Sequence, residues 1–487
     1  MVQNNEILIK AMSAIVGDEN VHNDPDILYH ADGLLTRVFE KAFSYIPKYL
    51  PVCVVTVQNA DQISEVVKYC NDNAVSIIVK TGATCSEDQL LTINDHTVMI
   101  DASPLNQIIS IDTENMMATV QCGVPLAQLE ERVREYGLTT GHCPQSQPLA
   151  HMGGLVASRS IGQFSTYYGA IEDMVCGMEV VLNDGSKIRI RNVPRRAAGP
   201  DLREIFIGSE GSLGVITEVT VKLFTYYPDD FWKGAYIVDD FVTGLKAVQE
   251  IITKGYNPSV VRLYDKPDFD RNFGSIELQE GESIMFFVAE GPPDIAAAIG
   301  KNIHKISQKY GRYVGTEVVD HWLIHRNDCC ETMGTEEEAE EFRQTHVVYE
   351  TVEISADWTE IRQVYTDVMK NVPEKIDNLV LLGGHVSHSY QTGTNIYFVY
   401  DLKVDCPQEA YKEKWNLMRA ICEEVIKQPT GGIVHHHGIG KVRLEMIHEE
   451  LGTSYEVMDR LFKAMDPNNV FNPGNIIPVI SQFDDVY

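Results

Sequence analysis

Residues 141–174 read GHCPQSQPLAHMGGLVASRSIGQFSTYYGAIEDM. The stretch is poor in charge and rich in Gly, Ser and Thr, and its Gly153-Gly154 pair lets the backbone approach a neighbour closely. Long irregular chain interleaved with apolar residues is expected to be buried, and such segments usually wrap a ligand. Two shorter stretches share this composition. KTGATCSED, Lys80 to Asp88, follows the apolar run SIIVK, and IGSEGSLGVIT, Ile207 to Thr217, sets three glycines between a helix and a strand. Small residues allow backbone N–H groups to converge on a pyrophosphate. Neither stretch is a Walker loop, because no G-K-[ST] follows, and neither is G-x-G-x-x-G, so a nicotinamide Rossmann site is not supported. Three such loops in one block favour a dinucleotide cofactor.

Working outward, residues 52–224 read as an α/β block. Asp61 to Cys70 has helical spacing, with Ile63, Val66, Val67 and Cys70 on one stripe. SIIVK, TVMID and MATVQC, ending at Lys80, Asp101 and Cys122, read as strands. A helix opens at Pro125 and stops at Gly137. EVVLNDGSKIRI, from Glu179, is a hairpin around Asp184-Gly185, and Val215 to Phe224 is a later strand. Tyr226-Tyr227-Pro228 marks a boundary. Beyond it, helices and strands alternate through SVVRLYD, SIMFFVAEG, YETVEIS and NIYFVYDLKV, the rhythm of an α+β domain with antiparallel pairing and helices on one face. The expected division is an N-terminal helical segment (1–45), a cofactor-binding domain (46–226), a cap or substrate domain (227–430), and a C-terminal segment (431–487) returning to the cofactor domain.

Composition narrows the classes. Hydrophobic residues are 44% and charged residues 23% of 487, an ordinary globular balance. The formal net charge of −30 repels phosphate backbones and anionic bilayers, so no nucleic acid or membrane-surface partner is expected. An anionic substrate would need local Arg and His to overcome that field. No run approaches the ~18 apolar residues of a membrane span, and the N-terminus reads as an amphipathic helix rather than a signal peptide. Ten scattered cysteines without a C-x-x-C pair fit reduced thiols and a cytoplasmic setting.

CGVPLAQLEERVREYGLTTGHCPQS (from Cys122), GGLVASRSIGQFSTYYGAIEDMV (from Gly153), AAGPDLREIFIGSEGSLGVITEVTVK (from Ala197) and HHHGIGKVR (from His435) together resemble the PCMH-type, vanillyl-alcohol-oxidase-like family of FAD-linked oxidases over nearly the whole chain. They are most similar to its alkyldihydroxyacetonephosphate synthase branch and to bacterial FAD-linked oxidoreductases beside it. The resemblance implies an α+β fold: a PCMH-type FAD-binding domain of two subdomains, with an antiparallel-sheet cap over the isoalloxazine. It implies that FAD contacts Val79, Lys80, Thr81, Gly82, Ala83, Thr84 and Cys85 at the pyrophosphate. Further implied contacts are Gln145, Ser146, Gln147, Pro148, Leu149, Ala150 and His151, then Ser158, Arg159, Ser160 and Ile161, and finally Glu210, Gly211, Ser212, Leu213, Gly214, Val215 and Ile216. Relatives with covalent flavin often carry a histidine in the first loop. Thr84 and Cys85 stand there, so non-covalent FAD is expected.

A polar cluster carries the chemistry. His435, His436 and His437 are consecutive and lie far from the terminus. Read as a strand, His435 and His437 would share one face, with His436 on the other. Such groups often mark sites, since neutral imidazole takes a proton and imidazolium anchors an anion. GGHVSHSYQTGTNIYFVYD, from Gly383, adds His385, His388, Tyr390 and Tyr397. The resemblance implies that Tyr397 is the catalytic acid/base and that the triplet is essential. In the 2-hydroxyacid dehydrogenase branch a histidine at the Tyr397 position binds a divalent metal and an acidic residue stands where His436 is. With both changed, no metal is expected. Arg262 matches a family arginine near the flavin, and Arg343 matches a substrate-phosphate arginine. Arg443 is a further candidate, and guanidinium suits carboxylate or phosphate through forked hydrogen bonds. The expected activity is oxidation of a small anionic hydroxyl-bearing acid or phosphate by hydride transfer to flavin N5, with an unidentified electron acceptor. The alternative is redox-neutral ether-bond synthesis like that of the synthase. A homodimer is among the expectations.

Overall fold

Short alternating runs build three main sheets in the computed structural model, which describes residues 2–33, 38, 41–42, 47–228, 231–274, 276–404 and 407–479. The first has the strand order Val21–His22, Cys53–Thr56, Thr97–Asp101, Ser76–Lys80. Its last three strands are parallel, and the helix Ala60–Asp72 crosses between two of them. That helix buries Ile63, Val66, Val67 and Cys70, the expected stripe, and Asn59 caps it by accepting from the Gln62 amide at 3.0 Å. The second sheet is antiparallel, in the order Ile108–Asp112, Met117–Gln121, Val215–Lys222, Val175–Val181, Lys187–Ile190. Its last two strands form the hairpin at Asp184-Gly185, where Gly185 takes φ +80°. Pro125 caps the helix Leu126–Arg134 rather than occupying its first turn.

Residues 141–174 are not one loop. They are broken by the short helices Met152–Ala157, Ser165–Tyr168 and Ile171–Met174, and much of the stretch is buried. Gly153 sits against Cys122, and a Cβ there would lie 2.6 Å from the cysteine Cβ.

The third sheet is antiparallel with seven strands: Gly311–Tyr313, Trp232–Val238, Ser283–Ala289, Val260–Asp265, Leu379–Val386, Gly393–Lys403 and Val347–Asp357. The fold class is therefore α+β. Successive residues of a strand point to opposite faces. One face carries Leu263, Val386, Ile396, Phe398, Val352 and Ile354 into a core shared with the helices Phe241–Thr253, Pro293–Ser307, Ile361–Asn371 and Pro407–Ile426. The alternate residues on the other face include Arg262, Tyr264, His385, Tyr397 and Glu353. Beyond that face lie residues of the N-terminal domain: Phe164, Tyr168 and Met174 share a core cluster with Tyr264, Phe286 and Trp322. The C-terminal stretch then crosses back. The Ile77 amide donates to the Val470 carbonyl and the Asn472 amide to the Ile77 carbonyl, each at 2.7 Å. Among the described residues no helix is long and apolar enough to cross a membrane.

Candidate active site

Strand register sets a row of reactive side chains. Tyr264 pairs with His385, His385 with Tyr397, and Tyr397 with Glu353, across four adjacent strands. The rings stack along the row, Tyr264 on His385 at 4.9 Å and His385 on Tyr397 at 4.7 Å between centroids. Asp268, fully buried, holds His385 through Nδ1 at 2.5 Å. Burial raises the Tyr397 hydroxyl well above the ordinary phenol range, with the Glu353 charge adding to the effect, so the phenol stays protonated at neutral pH.

The histidine triplet is not a strand. Glu353 Oε1 accepts from the backbone amides of His435, His436 and His437 at 3.3, 3.1 and 2.8 Å, and three successive N–H groups converge on one oxygen only where the chain curls. This overturns the strand expectation for the three rings. His436 Nε2 shares a 2.5 Å hydrogen bond with the Tyr397 hydroxyl. His435 Nε2 shares a 2.6 Å hydrogen bond with the Tyr390 hydroxyl. His437 Nδ1 lies 3.1 Å from Glu353 Oε2. Burial drives His436 well below the usual imidazole range and pulls His435 down to about 4, so both are neutral at pH 7. For His437 burial pushes the same way, but the Glu353 carboxylate outweighs it and raises the imidazole.

Arg443, with no exposed side-chain surface, is the counter-charge. Its Nη2 reaches Glu87 at 2.9 Å and Glu353 at 2.5 Å, and its Nη1 donates to the Glu353 and Ile433 carbonyls. Burial would raise the Glu353 carboxyl, yet Arg443 and His437 hold it well below the usual range, while burial pushes Glu87 up. Glu87, Glu353 and His437 are close enough to gather a cation, but the guanidinium already supplies the positive charge there. His388 Nδ1 shares a hydrogen bond with the Ser165 hydroxyl at 2.7 Å.

A cavity of about 630 Å3 runs from this row to the small-residue loops. Val79 through Cys85 all line it, as do Gln145, Ser146, His151, Ser158, Ser160, Ile161, Glu210, Gly211, Gly214, Val215 and Ile216. No backbone amide from Thr81 to Cys85 finds an acceptor among the described residues, which leaves five successive donors for an anion. From the other domain Arg262, Tyr397, His436 and His437 reach the same cavity.

Several expected residues lie elsewhere. Arg343 does not line the cavity. It sits on the helix Glu336–Thr345, ion-paired with Glu336 and with Glu340 at 2.7 Å, and donates to the Lys41 carbonyl. His435 is behind His436, and Arg159 pairs with Glu172 at 3.2 Å near the surface. Gln147, Pro148, Leu149 and Ala150 form a turn whose Ala150 packs into the domain core. Leu213 is in that same core, and Ser212 contacts Asn475.

Comparison with known proteins accounts for this cradle. The FAD binding domain model matches residues 51–191, and the model for the C-terminal domain of FAD linked oxidases matches residues 235–476. The uncharacterized FAD-linked oxidoreductase YgcU of Escherichia coli K12 is 42% identical over 97% of this chain and 98% of that protein. The chain belongs to the FAD-linked oxidase family. Alkyldihydroxyacetonephosphate synthase of Caenorhabditis elegans is 26% identical over 89% of this chain and 77% of that one. A solved alkyldihydroxyacetonephosphate synthase superposes with a TM-score of 0.78 at 20% identity, over 96% of this chain and 84% of that one. FAD is thus the cofactor.

Sequence reasoning missed Glu353, Glu87, Trp322 and Arg326. Arg262 and Arg326 flank the Trp322 indole, with guanidinium carbons 4.8 and 5.9 Å from its centroid. Each keeps a buried Nε with no partner, and neither pairs with a carboxylate among the described residues. A trace of Glu353 was visible, as one of two acids in the strand-like run YETVEIS. Arg326 lay in a polar stretch with no signal. The loop itself is testable: a Cβ on Gly82 would lie 2.7 Å from the Leu149 carbonyl oxygen and 2.9 Å from the His151 amide nitrogen, both backbone. Gly82→Ala is expected to weaken FAD binding about tenfold or more, ~1.4 kcal/mol, as read by flavin fluorescence titration of the apoprotein. Unchanged affinity would show that this loop does not hold the cofactor.

Proposed function

We propose that the protein oxidises a small hydroxyl-bearing anion, a hydroxy acid or a phosphorylated alcohol. Bound FAD supplies the hydride acceptor at N5. Arg262 binds the anionic group, since it is buried, partnerless at Nε and free of carboxylates. Arg326, across the same indole, replaces Arg343 as the second cationic contact. Tyr397 takes the substrate hydroxyl proton as hydride leaves the adjacent carbon, handing its own proton to neutral His436. His385, locked by Asp268 and stacked on the Tyr397 ring, fixes the phenol. The observation that carries the reading is the Tyr397–His436 hydrogen bond facing a cavity whose far side is the open amide run. The same residues would serve redox-neutral ether-bond formation, and the relation to the worm synthase supports that second reading. A histidine-free 79–85 loop supports non-covalent FAD. The cysteine usage supports a cytoplasmic protein.

One screen tests both readings. Hydroxy acids and sugar phosphates are mixed anaerobically with the holoprotein and flavin absorbance is followed. Bleaching by one of them is the expected result. Acyl-for-alkoxy exchange on an acylated dihydroxyacetone phosphate without bleaching would replace oxidation by synthesis.

A further inference from the structure

The Tyr397–His436 pair is one end of a longer chain of hydrogen bonds. His436 Nδ1 meets His435 Nδ1 at 2.8 Å, and His435 Nε2 meets the Tyr390 hydroxyl at 2.6 Å. Tyr390 is 40% exposed, whereas Tyr397 faces the cavity. Four ring groups joined by three hydrogen bonds therefore lead from the reaction cavity to solvent. Every member can both donate and accept. With both imidazoles neutral, one proton sits in each bond: His436 carries hydrogen on Nδ1 and accepts at Nε2, and His435 carries hydrogen on Nε2 and accepts at Nδ1. The opposite polarity is equally self-consistent. An Nδ1-to-Nδ1 contact permits only one proton between the rings, so the tautomers of His435 and His436 are locked to each other. His388 stacks on His435 at 5.3 Å and holds that ring, whose plane crosses the His436 plane at 84°. The Glu353 carboxylate, gripping all three backbone amides, fixes the curl that sets His435 and His436 edge to edge.

We infer that Tyr397, His436, His435 and Tyr390 form a proton wire that discharges the substrate hydroxyl proton to bulk water, which makes His435 and Tyr390 functional residues although neither touches the cavity. The inference rests on the oxidation reading above. The substrate O–H proton goes to the Tyr397 oxygen as the Tyr397 proton moves to His436 Nε2. The His436 Nδ1 proton moves to His435 Nδ1, the His435 Nε2 proton to the Tyr390 oxygen, and the Tyr390 proton to water. One proton enters and one leaves, and the heavy atoms stay in place. Burial, with the Glu172 and Asp173 carboxylates adding to it, raises the Tyr390 hydroxyl above the ordinary phenol range, so Tyr390 relays by taking one proton as it releases another. For the reverse half of the cycle the chain resets by running inward from water.

Two measurements test it. In 15N-histidine-labelled holoprotein, His435 and His436 should each carry one ring proton at pH 7, with a single proton and a through-hydrogen-bond coupling between their Nδ1 atoms. Two Nε2–H tautomers, or an imidazolium at either ring, would overturn the wire. This spectrum needs no substrate, so it stands if the oxidation reading fails. With whichever hydroxy acid or sugar phosphate bleaches the wild type fastest, His435→Gln should slow flavin reduction about 100-fold. Tyr390→Phe, a change at the exposed end that keeps the ring, should slow it by a smaller factor. The wild-type solvent isotope effect should show several protons in flight, and both variants should reduce that number. Wild-type rates and an unchanged proton inventory in both variants would sink the proposal.

Discussion

Tyr397→Phe is expected to cut flavin reduction by about 10²–10⁴-fold while the protein stays yellow. The hydroxyl is the only atom removed, and the ring keeps its stack on His385 and its place in the strand. Burial leaves the phenol far too weak an acid to ionise unaided, so its basicity toward substrate depends on giving its proton to His436. Loss of the hydroxyl removes both events. FAD binding should be unchanged, because the amide run at Thr81–Cys85 is at the other side of the cavity. Anaerobic stopped-flow absorbance with the fastest substrate from the screen reads the rate, and the flavin content of the purified variant reads binding. Retained turnover would remove Tyr397 from the proton path.

Arg443→Met should be the most destabilising single change at the site. The side chain has no exposure and answers two buried carboxylates at once. Breaking a buried pair by removing one partner costs about 3–5 kcal/mol, since the surviving charge stays desolvated. Here Glu353 would be left to His437 and the three backbone amides, and Glu87 would take up a proton. A fall in thermal midpoint of several degrees is expected, with loss of bound FAD as the triplet uncurls. Adding Glu353→Gln should recover part of the loss, because the uncompensated charge goes with it, and a double-mutant cycle reads that coupling. Equal stability of Arg443→Met and wild type would show that the carboxylates are satisfied without the guanidinium.

The loops were readable in the sequence for a local reason. Small residues following a strand have few uses, and Val79–Cys85 do line the cavity. The cap's strands were readable because they are runs rich in β-branched and aromatic residues, Ser283–Ala289 being buried throughout. SVVRLYD and NIYFVYDLKV show one buried face through Leu263 and Phe398. What lay beyond reach depended on pairing between distant segments. Glu353 acquires meaning only when register sets it opposite Tyr397, and nothing within YETVEIS states that register. The triplet was misread as a strand because its conformation is imposed by a carboxylate 82 residues or more away in sequence. Arg343 failed by the same logic in reverse. The helix that carries it supplies Glu340 and Glu336, one and two turns back, and those near neighbours claim the guanidinium that a distant site would need.

The closing segment has a temporal meaning. Arg443 joins Glu87 of the first domain to Glu353 of the second, and Ile439 and Gly440 donate at 3.0 Å to Glu210, whose carboxyl burial pushes up to about 7. Glu87, Glu210 and Glu353 are all translated well before these partners. A growing chain can therefore pack Phe164 and Tyr168 against the sheet while Glu87, Glu210 and Glu353 still await a cation or a donor. These acids are answered only once residues 439 to 443 have been made.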